Sequence, residues 1–322
     1  VVPLDLSNRP QILADMRQLH LTSGEFDQST EIDPRNIPGL LITASDFVFG
    51  ARHYGELRAD IRAEPLGLRF ESIQTVNEGF TLEGSGNWFA RADGFMTRVG
   101  FTARSENVGI ALDELGLDPL LEGESAKVTA NVSWFGNLSA DWRKTISGDV
   151  VLEMDQGSVL DLEPGAGRMM GLMSFTELPR RLALDFRDVF NRGLVFDAVT
   201  GAFVLIDGSA YTDNLLLTGP VADIGVVGRT GLKDKTYQQQ AIVTAEPGKI
   251  LPAMGFLAGT GVGAALLLFT EIFKEPLKGI GRASYCMSGT WDDPLIERLS
   301  PENLVAGELC ADLPSGGLNL SD

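Results

Sequence analysis

The stretch that decides the fold is Leu-Arg-Ala-Asp-Ile-Arg-Ala-Glu, at residues 57–64. Every second residue in it is apolar, and the residues between are charged. Successive side chains of a β-strand point to opposite faces, so this pattern predicts a strand with one apolar and one water-facing side. From the recurrence of the pattern we predict about 14 antiparallel strands, separated by turns rich in Gly, Asp and Asn. The alternation returns at residues 98–104, 128–134, 150–154, 182–186, 202–206, 215–217, 224–228 and 237–243.

Two short segments have the apolar spacing of helices. Residues 164–174 predict one helix, because Pro164 suits a helix start and a surface rich in Met and Leu follows. Residues 10–20 predict another short, amphipathic helix. Its apolar residues are Ile12, Leu13, Met16 and Leu19.

Residues 250–270 form an unusual segment of 21 positions without a charged residue. That length reaches the roughly 20 residues that a helix needs to cross a bilayer. Pro252 and four glycines weaken the segment as a helix in water, although membrane helices tolerate both residue types. Two alternatives stay open at this point: contact with a membrane, or a helix packed on the sheet.

Composition excludes two broad classes of protein. The 322 residues are 44% hydrophobic and include 37 glycines, which excludes a disordered acidic chain. The 26 Lys and Arg residues face 44 Asp and Glu residues, for a net charge of −18, which excludes a general nucleic-acid binder. Chains rich in sheet of this length often form a single unit.

Two signals bear on cellular location. Cys286 and Cys310 are too few for a metal site; their spacing is compatible with one disulfide in an oxidising compartment or with two free thiols. The chain begins Val1-Val2-Pro3 without a Met or a signal-type apolar run, so we expect it to be a piece of a longer protein.

Residues and motifs that could catalyse a reaction or bind a metal or cofactor are scarce in the sequence. His20 and His53 are the only histidines, and neither adjoins a nucleophile motif or carboxylates at metal-ligand spacing, so both are interpreted as surface residues. The sequence has no Gly-x-Ser-x-Gly, phosphate-loop or Cys-x-x-Cys motif. Asp292-Asp293-Pro294 has the chemistry of a turn. We therefore predict a protein that is not an enzyme and that uses no metal and no cofactor.

Several longer strings carry a family resemblance. The most specific are Leu-Asp-Leu-Glu-Pro-Gly-Ala-Gly-Arg at 160–168 and Leu-Pro-Arg-Arg-Leu-Ala-Leu-Asp-Phe at 178–186. Together with the shorter strings, which follow in the expected order over most of the chain, they resemble the C-terminal region of the YhdP family, an AsmA-like group of the Gram-negative envelope. The shorter strings are Asp-Pro-Arg-Asn-Ile-Pro-Gly-Leu at 33–40, Gly-Ser-Gly-Asn-Trp at 84–88, Thr-Asp-Asn-Leu at 212–215, Gly-Pro-Val-Ala at 219–222 and Gly-Thr-Trp-Asp-Asp-Pro at 289–294.

The resemblance implies a fold and a function. The fold is mainly β, a long curved antiparallel sheet that forms an open half-pipe with an apolar interior and carries a few helices, including an apolar one near the C-terminus. The function is non-enzymatic transport of phospholipid through the periplasm, by a protein anchored in the inner membrane and reaching the outer membrane, of which this chain is the C-terminal portion. The implied partners are phospholipid acyl chains, the inner leaflet of the outer membrane and envelope proteins. The alternative is a structural or regulatory envelope protein that binds protein or glycolipid partners and maintains the outer-membrane permeability barrier.

The expected organisation has four parts. Residues 1–44 form an N-terminal segment with the short helix, and residues 45–248 form the β-groove with a helical insertion near 164–174. Residues 249–298 contain the apolar helical segment and a closing strand, and residues 299–322 form a flexible tail.

Two groups of apolar residues are the predicted binding surfaces. Alternation alone does not separate a lipid-lined groove from an ordinary core, because both place these side chains inside. The groove candidates are Leu57, Ile61, Leu68, Phe70, Phe101, Val128, Val132, Trp134, Leu182, Leu184 and Phe186. The membrane-contact candidates are Phe256, Leu257, Leu266, Leu267, Leu268 and Phe269.

Overall fold

Fifteen strands of the chain form one sheet. The computed structural model describes residues 11–21, 32–117, 121–137, 140–159, 194–244 and 282–299. The strands are β1 (Ile12–Leu21), β2 (Leu40–Phe49), β3 (Arg52–Glu64), β4 (Gly67–Val76), β5 (Thr81–Arg91), β6 (Gly94–Ser105), β7 (Leu121–Gly123), β8 (Ala126–Phe135), β9 (Ser147–Val159), β10 (Leu194–Ile206), β11 (Ser209–Thr218), β12 (Asp223–Gly231), β13 (Thr236–Thr244), β14 (Arg282–Thr290) and β15 (Pro294–Arg298). Their order in the sheet is β1-β2-β3-β4-β5-β6-β8-β9-β10-β11-β12-β13-β14-β15, with β7 paired to β9.

The pairing confirms the predicted fold class. Neighbouring strands are antiparallel from β2 to β8 and from β10 to β15, whereas β1 and β2 are parallel. The sheet is open, with β1 and β15 as its two edges. The predicted helix at 164–174, the predicted strand at 182–186, the apolar segment at 250–270 and residues 300–322 lie outside the described residues.

The helix predicted at residues 10–20 is wrong, because this segment forms β1. Its backbone pairs with β2 along nearly its whole length, from Ile12 opposite Leu40 to Leu21 opposite Phe49. Met16 and Leu19 contact the apolar cluster at the start of the sheet, while Leu13 is 76% exposed. An edge strand has one paired side only, so it tolerates the irregular apolar spacing that mimicked a helix, and pairing with β2 overrides local propensity.

A helix that the strand pattern did not reveal, α1 (Val108–Glu114), follows β6. Asn107 caps its N-terminus, because the Asn107 side-chain oxygen accepts a hydrogen bond from the Ile110 N–H at 3.1 Å. Val108, Ala111 and Leu112 are buried at the i, i+3, i+4 spacing of an amphipathic helix. The helix packs over the β4–β5 turn, where a Cβ on Gly79 would meet the Ala111 backbone at 2.7 Å.

The chain divides into two compact units. The first comprises Val1–Pro119 and Ser125–Val150, and the second comprises Leu120–Glu124 and Val151–Asp322. Strands of the first unit bury one face, as the alternation predicts. In the second unit, β11, β12 and β13 are buried on both faces, since their burial is almost continuous along each strand. These three strands nevertheless include polar residues that are buried, among them Asp213, Gln239 and Gln240.

Gly86 lies in the interior of β5, where a side chain does not fit. A Cβ there would overlap the Arg98 carbonyl oxygen on β6 and would lie 2.9 Å from the Val99 Cα. We expect Gly86→Ala to lower the free energy of unfolding by about 2 kcal/mol, because such crowding forces the backbone to shift. Thermal or urea unfolding measures the change.

A matched glycine supplies the control for this prediction. Gly109 lies in α1, and the nearest atom to a Cβ there is the Asn107 side-chain oxygen at 3.5 Å, an ordinary contact. Gly109→Ala is expected to stabilise by up to about 1 kcal/mol, because alanine is the better helix former. Equal effects of the two substitutions would contradict the crowding argument.

Candidate functional site

Four rows of cross-strand partners build one continuous apolar face across β3, β4, β5, β6 and β8. Residues directly opposite each other in a ladder share a face, so each row follows from the register of the pairs. The rows are Leu57-Thr75-Leu82-Ala103-Val128, Ala59-Ile73-Gly84-Phe101-Ala130, Ile61-Phe70-Gly86-Val99-Val132 and Ala63-Leu68-Trp88-Thr97-Trp134. We call this surface, which lies wholly in the first unit, the apolar face.

The apolar face brings eight of the groove candidates together. Leu57, Ile61, Leu68, Phe70, Phe101, Val128, Val132 and Trp134 all lie on it. The remaining groove candidates, Leu182, Leu184 and Phe186, and all six membrane-contact candidates lie outside the described residues. The shared face is a fact of the register, whereas contact of these residues with lipid stays a prediction.

Protein atoms already cover much of the apolar face. Phe70 is 2% exposed and Leu68 5%, so the centre of the face is closed to solvent. Toward α1 the covering is incomplete, and the side chains there are half-buried. These residues, which we call the open strip, are Ile73, Leu82, Phe101, Ala103 and Val128.

A short segment before β2 provides part of the cover. Residues 32–39, which we call the strap, contain a 3-10 turn (Pro34–Asn36) that lies near β4 and β5. Ile32 and Ile37 of the strap pack against the buried cluster of Leu68, Phe70 and Trp88. The sequence pattern did not show that the strap lies on the apolar face, because that contact joins residues far apart in the chain.

The polar residues of the strap stabilise its own turn. Asp33 caps the turn by accepting a hydrogen bond from the Arg35 N–H at 2.9 Å, and the Arg35 guanidinium donates to the same carboxylate at 2.6 Å. The hydrogen bonds from the Arg35 side chain and backbone lower the pKa of Asp33. The string at 33–40 therefore has a structural explanation in this turn.

The string at 212–215 also has a local explanation. It lies at an irregularity in β11, where the register with β12 shifts between Thr212 and Leu215. The Asn214 side-chain oxygen accepts a hydrogen bond from the Ala202 N–H at 2.8 Å and so ties the irregularity to β10. Burial raises the pKa of the neighbouring Asp213 carboxyl.

His53 links α1 to the sheet. Its Nδ1 lies 2.5 Å from a carboxylate oxygen of Glu114, the last residue of α1, and its Nε2 lies 2.9 Å from a carboxylate oxygen of Asp46 on β2. The hydrogen bond to Glu114, with a further contribution from Asp46, raises the pKa of His53. The interpretation of His53 as an ordinary surface residue missed this bridge, since Glu114 is distant in sequence.

The His53 bridge predicts a dependence of stability on pH. A raised pKa means that the folded protein binds the proton more tightly than the unfolded chain does, so the contribution is complete below the ordinary value of 6.5 and is lost as pH rises through the raised pKa. We expect the stability difference between wild type and His53→Gln to reach about 0.5 kcal/mol at low pH, since exposed ion pairs contribute little. Thermal unfolding at about pH 5.5 and about pH 9 measures the difference. A difference that grows with pH would contradict the assignment.

The opposite face of the first unit is polar, and a cleft of about 750 Å³ borders it. Its lining includes Glu64, Arg69, Asn87, Arg98 and Asn131, together with residues of the apolar rows such as Phe70 and Val99. Arg69 pairs with Glu64 and Glu71 at 3.3 Å in each case. The water-facing side of the sheet thus differs in chemistry from the apolar face, as the alternation predicted.

Two further predictions concern the last strands. The turn predicted at Asp292-Asp293-Pro294 is confirmed, since it joins β14 to β15 and the Asp293 N–H donates to the Thr290 hydroxyl oxygen at 3.1 Å. Cys286 on β14 is disulfide-bonded. Cys310, the only other cysteine of the chain, lies outside the described residues.

The described residues lack two features, a membrane-spanning helix and a cluster of metal ligands. No helix in this part of the chain has the length and apolar character needed to span a membrane. Within the same ranges, no group of three or more His, Cys, Asp or Glu residues is arranged to hold a metal ion.

Comparisons with known proteins agree with the resemblance seen in the sequence. The Intermembrane phospholipid transporter YhdP of Escherichia coli (strain K12) is 25% identical over 283 residues, which cover 86% of this chain and 22% of that protein. The chain thus spans about a fifth of the length of this relative. No solved structure matches the chain. The family model described as YhdP protein matches residues 2–296, and the chain therefore belongs to the YhdP family.

Proposed function

We propose that this chain is part of a non-enzymatic conduit that carries phospholipid across the periplasm, and that it forms the C-terminal portion of a longer protein bridging the inner and outer membranes. The observation that carries the proposal is the apolar face, a surface four rows deep and five strands wide that alternates with a polar opposite face. The name of the Escherichia coli relative, Intermembrane phospholipid transporter YhdP, supports the choice of ligand.

The chemistry of the apolar face suits acyl chains. Transferring a methylene group from water to an apolar surface gains about 0.8 kcal/mol, so two acyl chains gain enough on such a face to compete with a bilayer without a charged pocket. The open strip, with Phe101 at its centre, is the region where chains first gain contact. A non-enzymatic role fits this surface, which offers burial and no acid, base or nucleophile.

The disulfide supports placement in the periplasm. Disulfides form and persist in oxidising compartments such as the bacterial periplasm, and they are rare in the cytosol. Cys286 is bonded in this way. The proposed partners are phospholipid acyl chains and the inner leaflet of the outer membrane, which the apolar residues at 256–269 would contact.

Native mass spectrometry of the purified 322-residue chain tests the proposal. We expect bound species with phospholipid masses, and we expect lipid extraction of the same sample to yield those phospholipids. Protein that is folded, as judged by a cooperative thermal transition, and that carries and takes up no lipid would contradict it.

One observation favours a second candidate function. Leu57, Leu68 and Phe70 are each at most 6% exposed, as expected for a closed core in a structural or regulatory envelope protein that binds protein or glycolipid partners. That alternative predicts that phospholipid is absent from the purified protein and that envelope proteins or glycolipids co-purify with it. The same mass spectra therefore separate the two functions.

A further inference from the structure

Trp88 is buried on the apolar face with an unused hydrogen-bond donor. The side chain is 6% exposed, and among the described residues its indole N–H has no hydrogen-bond partner. Leaving such a group unpaired is costly, and buried tryptophans usually donate to a partner. We therefore expect a hydrogen-bond acceptor beside the indole N–H of Trp88.

Other polar groups in the same row are satisfied. The Trp134 indole N–H donates to the Asn137 carbonyl oxygen at 2.9 Å, and the Thr97 hydroxyl donates to the Gly136 carbonyl oxygen at 2.8 Å. Trp88 and Trp134 are thus two tryptophans of one row that differ in hydrogen bonding. Of these two indole N–H groups, only that of Trp88 is free to bind a ligand.

The surroundings of Trp88 restrict the chemistry of the acceptor. Leu68 and Phe70 belong to the same buried cluster, and Phe95 packs edge-on against the Trp88 ring with centroids 6.3 Å apart. A water molecule needs two or more polar partners, whereas the residues of this cluster that pack against Trp88 are apolar. A phosphate would lose its hydration here without a counter-charge. A neutral carbonyl oxygen flanked by hydrocarbon fits both the donor and the cluster.

We propose that the Trp88 indole N–H donates a hydrogen bond to an ester carbonyl oxygen of a phospholipid bound on the apolar face. The inference rests on the proposed lipid-carrying function and adds the point at which the glycerol end of the lipid is held. The acyl chains run from Trp88 along the face toward the open strip.

Access to Trp88 requires the strap to move. Ile32 and Ile37 cover the cluster through apolar contacts, which acyl chains can replace with contacts of the same kind. The strap is tied to β1 at its C-terminal end, where the Ile12 N–H donates to the Gly39 carbonyl oxygen at 2.8 Å. The lipid therefore displaces Ile32 and Ile37 while the end at Gly39 stays in place.

The test compares two lipids and three proteins. The lipids are a diacyl phosphatidylethanolamine and its dialkyl ether analogue with chains of equal length, which lacks both ester carbonyls. The proteins are the full chain as wild type, Trp88→Phe and Trp142→Phe, the last a control at an exposed tryptophan that stacks with Arg143. Competition titrations followed by native mass spectrometry give the ratio of the two affinities.

We expect wild type and Trp142→Phe to prefer the diester lipid by about tenfold, a factor that corresponds to about 1.4 kcal/mol. Trp88→Phe is expected to bind both lipids with equal affinity. No preference in wild type, or a preference retained in Trp88→Phe, overturns the inference and leaves the proposed function standing. Failure of every protein to bind either lipid overturns both.

A second measurement uses wild-type protein alone, in case Trp88→Phe does not fold. The chain has four tryptophans, so their indole N–H signals are few enough to be assigned by Trp→Phe variants at the other three positions. The Trp88 signal is expected to move downfield on addition of the diester lipid and not on addition of the ether analogue. An unchanged Trp88 signal in lipid-bound protein overturns the inference.

Discussion

Phe101→Asp is expected to abolish lipid binding while leaving the fold intact. Phe101 lies in the open strip, where its side chain is half-buried and faces the same side as Leu57 and Val132. A carboxylate at this position keeps its hydration in lipid-free protein, but it would have to lose that hydration against an acyl chain. Burying an unpaired charge costs several kcal/mol, so affinity should fall by more than about a hundredfold.

The matched control places the same charge on the other face. Thr129 lies on β8 beside Ala130, so its side chain points to the polar side of the sheet. Thr129→Asp is expected to bind lipid as wild type does. Both variants are compared by crosslinking to a photoactivatable phospholipid, after thermal unfolding has shown that they fold. Equal crosslinking of the two variants would mean that the apolar face is not the lipid surface.

Loss of the disulfide is expected to have the second large effect. Cys286 is disulfide-bonded, and the sequence has one other cysteine, Cys310, so we predict that a bond between these two closes a loop near the C-terminus. A cross-link that closes a loop of this size stabilises by about 3 kcal/mol, chiefly by restricting the unfolded chain. The double variant Cys286→Ser, Cys310→Ser should therefore unfold at a clearly lower temperature than wild type.

Reduction provides an independent check on the same bond. Wild-type protein treated with a thiol reductant is expected to unfold at the temperature of the double variant. The double variant itself should not respond to the reductant. A wild-type transition that reductant leaves in place would show that the bond contributes little to stability.

The period-two pattern predicted most of the sheet because each strand of the first unit has one face exposed to water. Alternation at residues 57–64 corresponds to β3, and alternation at 128–134 corresponds to β8. The register then places the candidates from different strands on one face, a result that alternation implies once neighbouring strands are antiparallel. The eight groove candidates in the described residues therefore share one face, while their contact with lipid stays a prediction.

The elements that sequence analysis missed depend on contacts between distant residues. β1 has the apolar spacing of a helix, and only its pairing with β2 makes it a strand. The strap reaches the Leu68, Phe70 and Trp88 cluster across the chain, and the His53 bridge joins residues 61 positions apart. The unused donor of Trp88 was equally invisible, since Trp88 and Trp134 have the same role in the alternation but different neighbours.

The burial of both faces in β11, β12 and β13 has a consequence for how freely this sequence can vary. In the first unit, every second position of a strand faces water, so a saturation mutagenesis scan should show tolerated and sensitive positions in strict alternation. Leu215, Leu216 and Leu217 are at most 1% exposed although they point to alternate sides. The second unit should therefore show unbroken sensitivity along these strands. Natural substitutions should then accumulate on the water-facing side of the first unit. They should be rare along β11, β12 and β13 of the second unit.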